Sequence, residues 1–357
     1  MAIDFTDSLS EIQSILSRRT GSKEEERLLS LLRPLCEEGL SGVLNTIDLF
    51  RLIQALDDRR WGPKSRKEFL RILPKASRLT VAAKASLVRA LASVTMELQS
   101  EQAIREIFLS ETGEQLTELK LLVDCATDGR DLLHILTYLI SSADVRFDIV
   151  QHFQKSTQGV PQTLRVVSDI DDTLFSSLND NRYPKGTIYP GALEVLAALS
   201  QAPPVFLTAR PELVASVFER LTHTQLQRFG IKRCTVLSGR VGGLFGHQRM
   251  ADQKARTLTS YAELYPEHQF IFLGDSGQGD LAMAETLLRK KKSPVIRRAF
   301  IHRLAPGQPG SDPNHSLIRS YSDYAQLASA LEELGFLTRE QLERIEKSVT
   351  LPDLHSS

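Results

Sequence analysis

Residues 166–174 read Val-Val-Ser-Asp-Ile-Asp-Asp-Thr-Leu, so Asp169, Asp171 and Asp172 fall within four positions after an apolar run. Like charges packed this closely are costly unless a cation neutralises them. Hard divalent ions such as Mg²⁺ take oxygen ligands of this kind. In an extended segment the side chains of Asp169 and Asp171 point the same way, because direction repeats every two residues. One carboxylate can then attack phosphorus while the other handles protons. An acidic turn closing a strand is the plainer alternative, but here further chemistry follows in order. Phe206-Leu-Thr208 puts a hydroxyl where an apolar run ends, within reach of a phosphate oxygen. Lys254, twenty-one residues before Asp275, can offset phosphate charge. Taken singly, a strand-end threonine or a lysine says little. Phe270-Ile-Phe-Leu-Gly-Asp275-Ser-Gly-Gln-Gly-Asp280 is more specific: two carboxylates five residues apart, with glycines that allow a tight turn.

Two textures position these groups. Residues 1 to about 155 read as successive helices, with apolar residues at i, i+3, i+4 and i+7 in stretches such as Glu25 to Arg33, Val43 to Ile53 and Leu116 to Val123. A polar segment, Lys155 to Thr163, reads as a linker. Beyond it, short apolar runs at Leu164–Ser168, Pro204–Thr208, Cys234–Leu237, Phe270–Gly274 and Arg298–His302 alternate with helical stretches at 191–199, 211–229, 250–264 and 280–289. That alternation predicts an α/β unit with a parallel sheet, helices on both faces and ligands at the carboxyl ends of the strands. Two further helices are expected at 322–335 and 337–349. The expected domains are 1–157, all-helical, and 158–357, α/β.

The 357 residues are 41% hydrophobic and 25% charged, an ordinary globular mix, which excludes a chain held together only by disulfides or metal. Lys+Arg and Asp+Glu are both 44, so no nucleic-acid partner is expected at whole-chain level. Cys36, Cys125 and Cys234 are too sparse for a disulfide framework or zinc cluster and predict reduced thiols in the cytoplasm. No apolar run reaches the roughly 18 residues of a membrane span, and the N-terminus lacks a signal-peptide pattern.

The series Asp-x-Asp-x-Thr, strand-end Thr, Lys and Gly-Asp-x-x-x-x-Asp resembles the haloacid dehalogenase superfamily of phosphatases over residues 164–302. Its spacing puts Asp169 first, since the required threonine is then Thr173; from Asp171 it would be Phe175. Ser168 to Thr173 with Gly274 to Asp280, Tyr189-Pro-Gly-Ala-Leu-Glu and Tyr265-Pro are similar to the catalytic domain of the actin-patch phosphatidate phosphatases. Leu174-Phe175 and Thr208-Ala-Arg-Pro211 depart from that family's usual Ile-Lys and Ser-Asn-Ser-Pro; Thr-Ala-Arg-Pro is similar to the lipin-type enzymes.

The resemblance implies a Rossmann-like fold and a Mg²⁺-dependent phosphomonoesterase. Asp169 is then the nucleophile, Asp171 the acid and base, and Thr208 and Lys254 the phosphate holders. The resemblance also puts Mg²⁺ between the Asp169 carboxylate, the Asp171 backbone carbonyl and the Asp275 carboxylate. Asp280, Thr173, Arg210, Ser276 and Arg240 are the supporting positions. The implied substrate is phosphatidate at a membrane surface, met by a peripheral protein. A soluble or protein-bound phosphomonoester is the alternative, as is a helical scaffold carrying a vestigial phosphatase. Neither interval between the motifs has room for a large cap, although a small flap at 176–187 fits.

Other features are open to two readings. The Gly-rich segment Ser238 to Arg249 offers Arg240, His247 and Arg249 to substrate or is a surface loop. Arg59 to Lys67, with Trp61, suits an anionic lipid surface or is a solvated helix face. The Arg289 to Lys292 run complements a helix C-terminus or binds an acidic surface. The helical half shows no chemistry, and its partner is not specified.

Overall fold

A computed structural model describes residues 5–57, 64–126, 128, 130–177, 179–208, 224–238, 247–277, 279–289, 295–304 and 315–350. Arg59, Trp61, Arg210, Arg240 and Lys290 to Lys292 lie outside the described residues, as do most of the expected helix 211–229 and most of the Gly-rich segment. The chain divides into two compact units, one of residues 1–124 and 132–159, the other of 125–131 and 160–357. The short excursion 125–131 therefore goes with the second unit. Leu132 N–H donates to the Asp124 carboxylate at 3.0 Å, tying the two ends of the excursion together.

The first unit is helical: α1 (Phe5–Leu16), α2 (Ser22–Leu32), α3 (Glu37–Thr46), α4 (Leu49–Ala55), α5 (Ser65–Ile72), α6 (Val81–Ala92), α7 (Leu98–Leu109), α8 (Gly113–Asp124), α9 (Leu132–His134) and α10 (Ala143–Ser156). The stretch Val43 to Ile53, read as one periodic run, is broken between α3 and α4. Asp48 takes extended backbone there, and its side chain accepts the Arg51 N–H, capping α4. The apolar period continues across the break because both helices bury their leucines, so periodicity alone hides it.

The second unit is built on six parallel strands: β1 (Thr163–Asp169), β2 (Val205–Thr208), β3 (Thr235–Ser238), β4 (His268–Asp275), β5 (Arg298–His302) and β6 (Ile318–Tyr321), in the order β3-β2-β1-β4-β5-β6. The sixth strand, Ile-Arg-Ser-Tyr, was not expected from sequence; it has no apolar run because it lies at the sheet edge. The order reverses at β1, whose neighbours are β2 and β4. In such sheets the crevice at that switch point is where ligands bind.

Val166, Phe206, Ile271, Leu273 and Phe300 share one face and pack with Val195, Leu196 and Leu199 of α11 (Ala192–Leu199), Leu327 and Leu331 of the helix Tyr324–Glu333, and Ile345 of the helix Arg339–Thr350. Each such fully buried aliphatic side chain contributes about 1.5–3 kcal/mol. Gly191 begins α11 with φ +83, and a Cβ there would meet Val349 at 2.7 Å, so glycine answers both a backbone and a packing demand. On the opposite face run α12 (His247–Glu263) and α13 (Asp280–Leu288), which pack on each other, α13 also lying on β4 and β5. Two more helices, α14 (Tyr324–Glu333) and α15 (Arg339–Thr350), end the described chain. Alternation puts Asp169 on the α12/α13 face, two residues beyond Val167.

Candidate active site

The sheet register brings Asp169, Thr208, Asp275 and His302 to the carboxyl ends of four strands. Asp169 pairs with Leu207 beside Thr208, and Asp275 with His302. All four are buried. Asp169, Asp275 and Asp280 each bring one carboxylate oxygen to within 4.8 Å of the others. Lys254, on α12, reaches into this cluster: its Nζ donates to Asp169 Oδ1 at 2.6 Å and to Asp280 Oδ1 at 2.8 Å, and it is only 2% exposed. Asp280 opens α13 after Gly279 in left-handed backbone (φ 87), and its Oδ2 accepts the Asp275 N–H at 3.3 Å. Gly274 makes room for this turn: a Cβ would lie 2.7 Å from Asp280 Oδ2 and from the Phe272 ring.

Three buried carboxylates around one ammonium leave an excess of negative charge. The proton affinities record it. Burial, with the neighbouring Asp280 and Asp171 charges, outweighs Lys254 and pushes Asp169 up to about 7. Burial, then Asp280 and Asp169, push Asp275 up to about 9. Lys254 is moved the other way: burial opposes its charge, but the Asp169 and Asp280 carboxylates hold it well above the ordinary lysine value. Oδ2 of Asp169 and Oδ2 of Asp275 are buried without a hydrogen-bond partner. Unpartnered anionic oxygens beside an uncompensated carboxylate fit a hard divalent cation, which takes oxygen ligands and offsets their charge.

The three adjacent aspartates face three tasks. Asp169 joins the cluster. The carboxylate of Asp171 accepts the Ser177 hydroxyl at 2.7 Å. Asp172 sits in left-handed backbone (φ 58) and is fully buried; its carboxylate accepts the N–H groups of Ser177 at 2.8 Å and Asn179 at 2.7 Å. The strand ends at Asp169, so strict alternation does not carry to Asp171.

Asp172 thereby folds the segment after it into a flap. Phe175 bridges Ile188 antiparallel, and Ser176 N–H donates to Thr187 at 2.9 Å. Inside the flap, Asp180 accepts from Arg182 and from the Tyr189 hydroxyl. Burial alone would raise the Asp180 carboxyl, but these bonds and the Arg182 charge hold it at about 2. His302 is lowered by burial and bridges Asp172 O and Arg182.

Among the supporting positions, Thr173 is buried, with its hydroxyl unpartnered and its carbonyl accepting from Tyr324 at 2.7 Å. Ser276 stitches β4 to β5, donating its N–H to His302 O and accepting the Leu304 N–H. Sequence reasoning assigned nothing to Asp172 beyond its charge, and missed Ser177, Asp180 and Tyr324. Ser177 and Asp180 had a readable cue, their place in the expected flap 176–187.

Residues 164–302 match the family model described as Phosphatidate phosphatase APP1, catalytic domain. The α/β unit is phosphatidate phosphatase-like. The matched segment begins within β1 and ends at the last residue of β5, so it holds Asp169, Thr208, Lys254, Asp275 and Asp280. The match indicates a phosphoric monoester hydrolase. No curated protein and no solved structure gives a significant match. Among the described residues, no helix is long and apolar enough to cross a membrane, and Cys36, Cys125 and Cys234 form no disulfide with one another.

Proposed function

We propose that the chain is a Mg²⁺-dependent phosphatidate phosphatase of the haloacid dehalogenase type, releasing diacylglycerol and phosphate at a membrane surface. The observation that carries the proposal is the buried cluster of Asp169, Asp275 and Asp280 bridged by Lys254 at the sheet's switch point, inside the segment matched to the phosphatase family.

In the first step a carboxylate oxygen of Asp169 forms a bond to phosphorus, the P–O bond to the alcohol breaks, and the carboxyl proton of Asp171 passes to the departing oxygen. In the second, water attacks the aspartyl-phosphate, its proton returns to Asp171, and the P–O bond to Asp169 breaks. Asp169, Asp275 and Asp280, with the Asp171 carbonyl, are the groups that would hold Mg²⁺, which when bound supplies charge stabilisation for the transferring phosphoryl group. Lys254 and Thr208 orient equatorial oxygens. The described flap is small, which suits a phosphate presented on a lipid surface. We assign the helical residues 1–157 to a separate domain.

The test is phosphate release from phosphatidate in detergent micelles, with Mg²⁺ or EDTA, beside an aryl phosphate. The expected result is Mg²⁺-dependent release that Asp169→Asn abolishes while the fold persists, since the amide is isosteric and relieves the cluster of one charge. Activity retained in Asp169→Asn overturns the nucleophile. Turnover of the aryl phosphate alone overturns the lipid substrate.

A further inference from the structure

Nothing in the proposed chemistry says how Asp171 is held, yet a general acid must present its proton to one atom in one direction. Asp171 lies beyond the end of β1, in a turn without the sheet's support. Its carboxylate accepts the Ser177 hydroxyl at Oδ1. Ser177 is itself placed by its own backbone: its N–H donates to Asp172 Oδ1 at 2.8 Å, while the other oxygen of Asp172 takes the Asn179 N–H. Asp172 is fixed in turn. It adopts φ 58, a strained conformation for a non-glycine residue that persists only where its surroundings hold it. Here they do: its N–H donates to Phe175 O at 2.9 Å and its carbonyl lies 2.9 Å from His302 Nδ1. Strain held at this one residue turns the chain back so that a hydroxyl six positions after Asp171 returns to its carboxylate.

We propose that Ser177 is the positioning residue for the proton-transferring carboxylate of Asp171, with Asp172 as the clamp that delivers it. The bond from Ser177 holds Oδ1 and with it the rotamer in which Asp171 presents its carboxyl group. The inference rests on the phosphatase reading above, and its consequence depends on the leaving group. An alkyl alkoxide is a poor leaving group and needs its proton as the P–O bond breaks. A 4-nitrophenolate departs with little help.

The experiment compares wild type, Ser177→Ala and Ser177→Thr on an alkyl phosphomonoester (phosphatidate in mixed micelles) and on 4-nitrophenyl phosphate. Ser177 is half-buried, so alanine is tolerated sterically, and thermal unfolding of each variant checks the fold. General-acid contributions of about 10²–10⁴-fold set the scale, and misorientation forfeits part of one. Ser177→Ala is expected to lose about 10–100-fold in kcat on the alkyl ester, with KM little changed, and at most about threefold on the aryl ester. Ser177→Thr, which keeps a hydroxyl, is expected to restore most of the alkyl activity. Equal losses on the two esters, no loss on the alkyl ester, or failure of threonine to restore it overturns the proposal. A wild type that hydrolyses neither ester overturns the phosphatase reading instead.

Discussion

Replacing Lys254 by methionine removes an ammonium shared by two buried carboxylates while keeping most of the side-chain volume. The Lys254–Asp169 and Lys254–Asp280 contacts, at 2.6 and 2.8 Å, each correspond to about 6 kcal/mol of attraction at an effective dielectric constant of about 20. Desolvation of three charges offsets most of that sum, and removal of one partner from such a buried pair costs about 3–5 kcal/mol net. The whole stability of a domain is only about 5–15 kcal/mol. Urea unfolding at neutral pH in EDTA should therefore show Lys254→Met destabilised by about 3–5 kcal/mol. Adding Asp280→Asn to it should cost less than the sum of the single changes, with a coupling of about 1–3 kcal/mol, because the amide no longer needs the lysine. A loss below about 1 kcal/mol, or strict additivity of the two changes, would refute the argument that Lys254 offsets a buried excess of negative charge.

The lifted Asp169 and Asp275 carboxyls make a second prediction. In EDTA the folded chain keeps protons there that the unfolded chain releases near pH 4. Their stabilisation is present at low pH and is lost as pH rises through about 7 for Asp169 and about 9 for Asp275. Mg²⁺ should raise the unfolding temperature more at pH 8.5 than at pH 5.5, and an equal gain at both would refute the cluster as its site. Gly274→Ala drives a Cβ into Asp280 Oδ2 and the Phe272 ring, so a loss of about 1–3 kcal/mol should accompany a fall in kcat. Wild-type stability and turnover in that variant, by urea titration and phosphate release, would show the turn to be slack.

The sequence by itself determined which candidate residues stand at strand ends and the layer they sit on. Short apolar runs ending at Asp169, Thr208 and Asp275 mark strands by alternating with helical stretches, and acidic residues at strand ends are visible without coordinates. The helical character of the first unit was equally legible, although the cap at Asp48 was not, because an apolar period is blind to a two-residue change of backbone at Ile47 and Asp48. The partnership of Lys254 with both Asp169 and Asp280 belongs to tertiary structure, since it spans 85 and 26 residues and depends on how α12 lies across the sheet. So do the separate tasks of Asp169, Asp171 and Asp172, adjacent in sequence and equal in charge. Alternation along β1 sends Asp169 to the cluster, whereas the left-handed turn at Asp172 brings Ser177 back to Asp171 and the flap backbone to the Asp172 carboxylate. Sequence supplies the charges, whereas the direction each one faces is set by backbone angles that only the packed fold, closing around His302 and Phe175, holds in place.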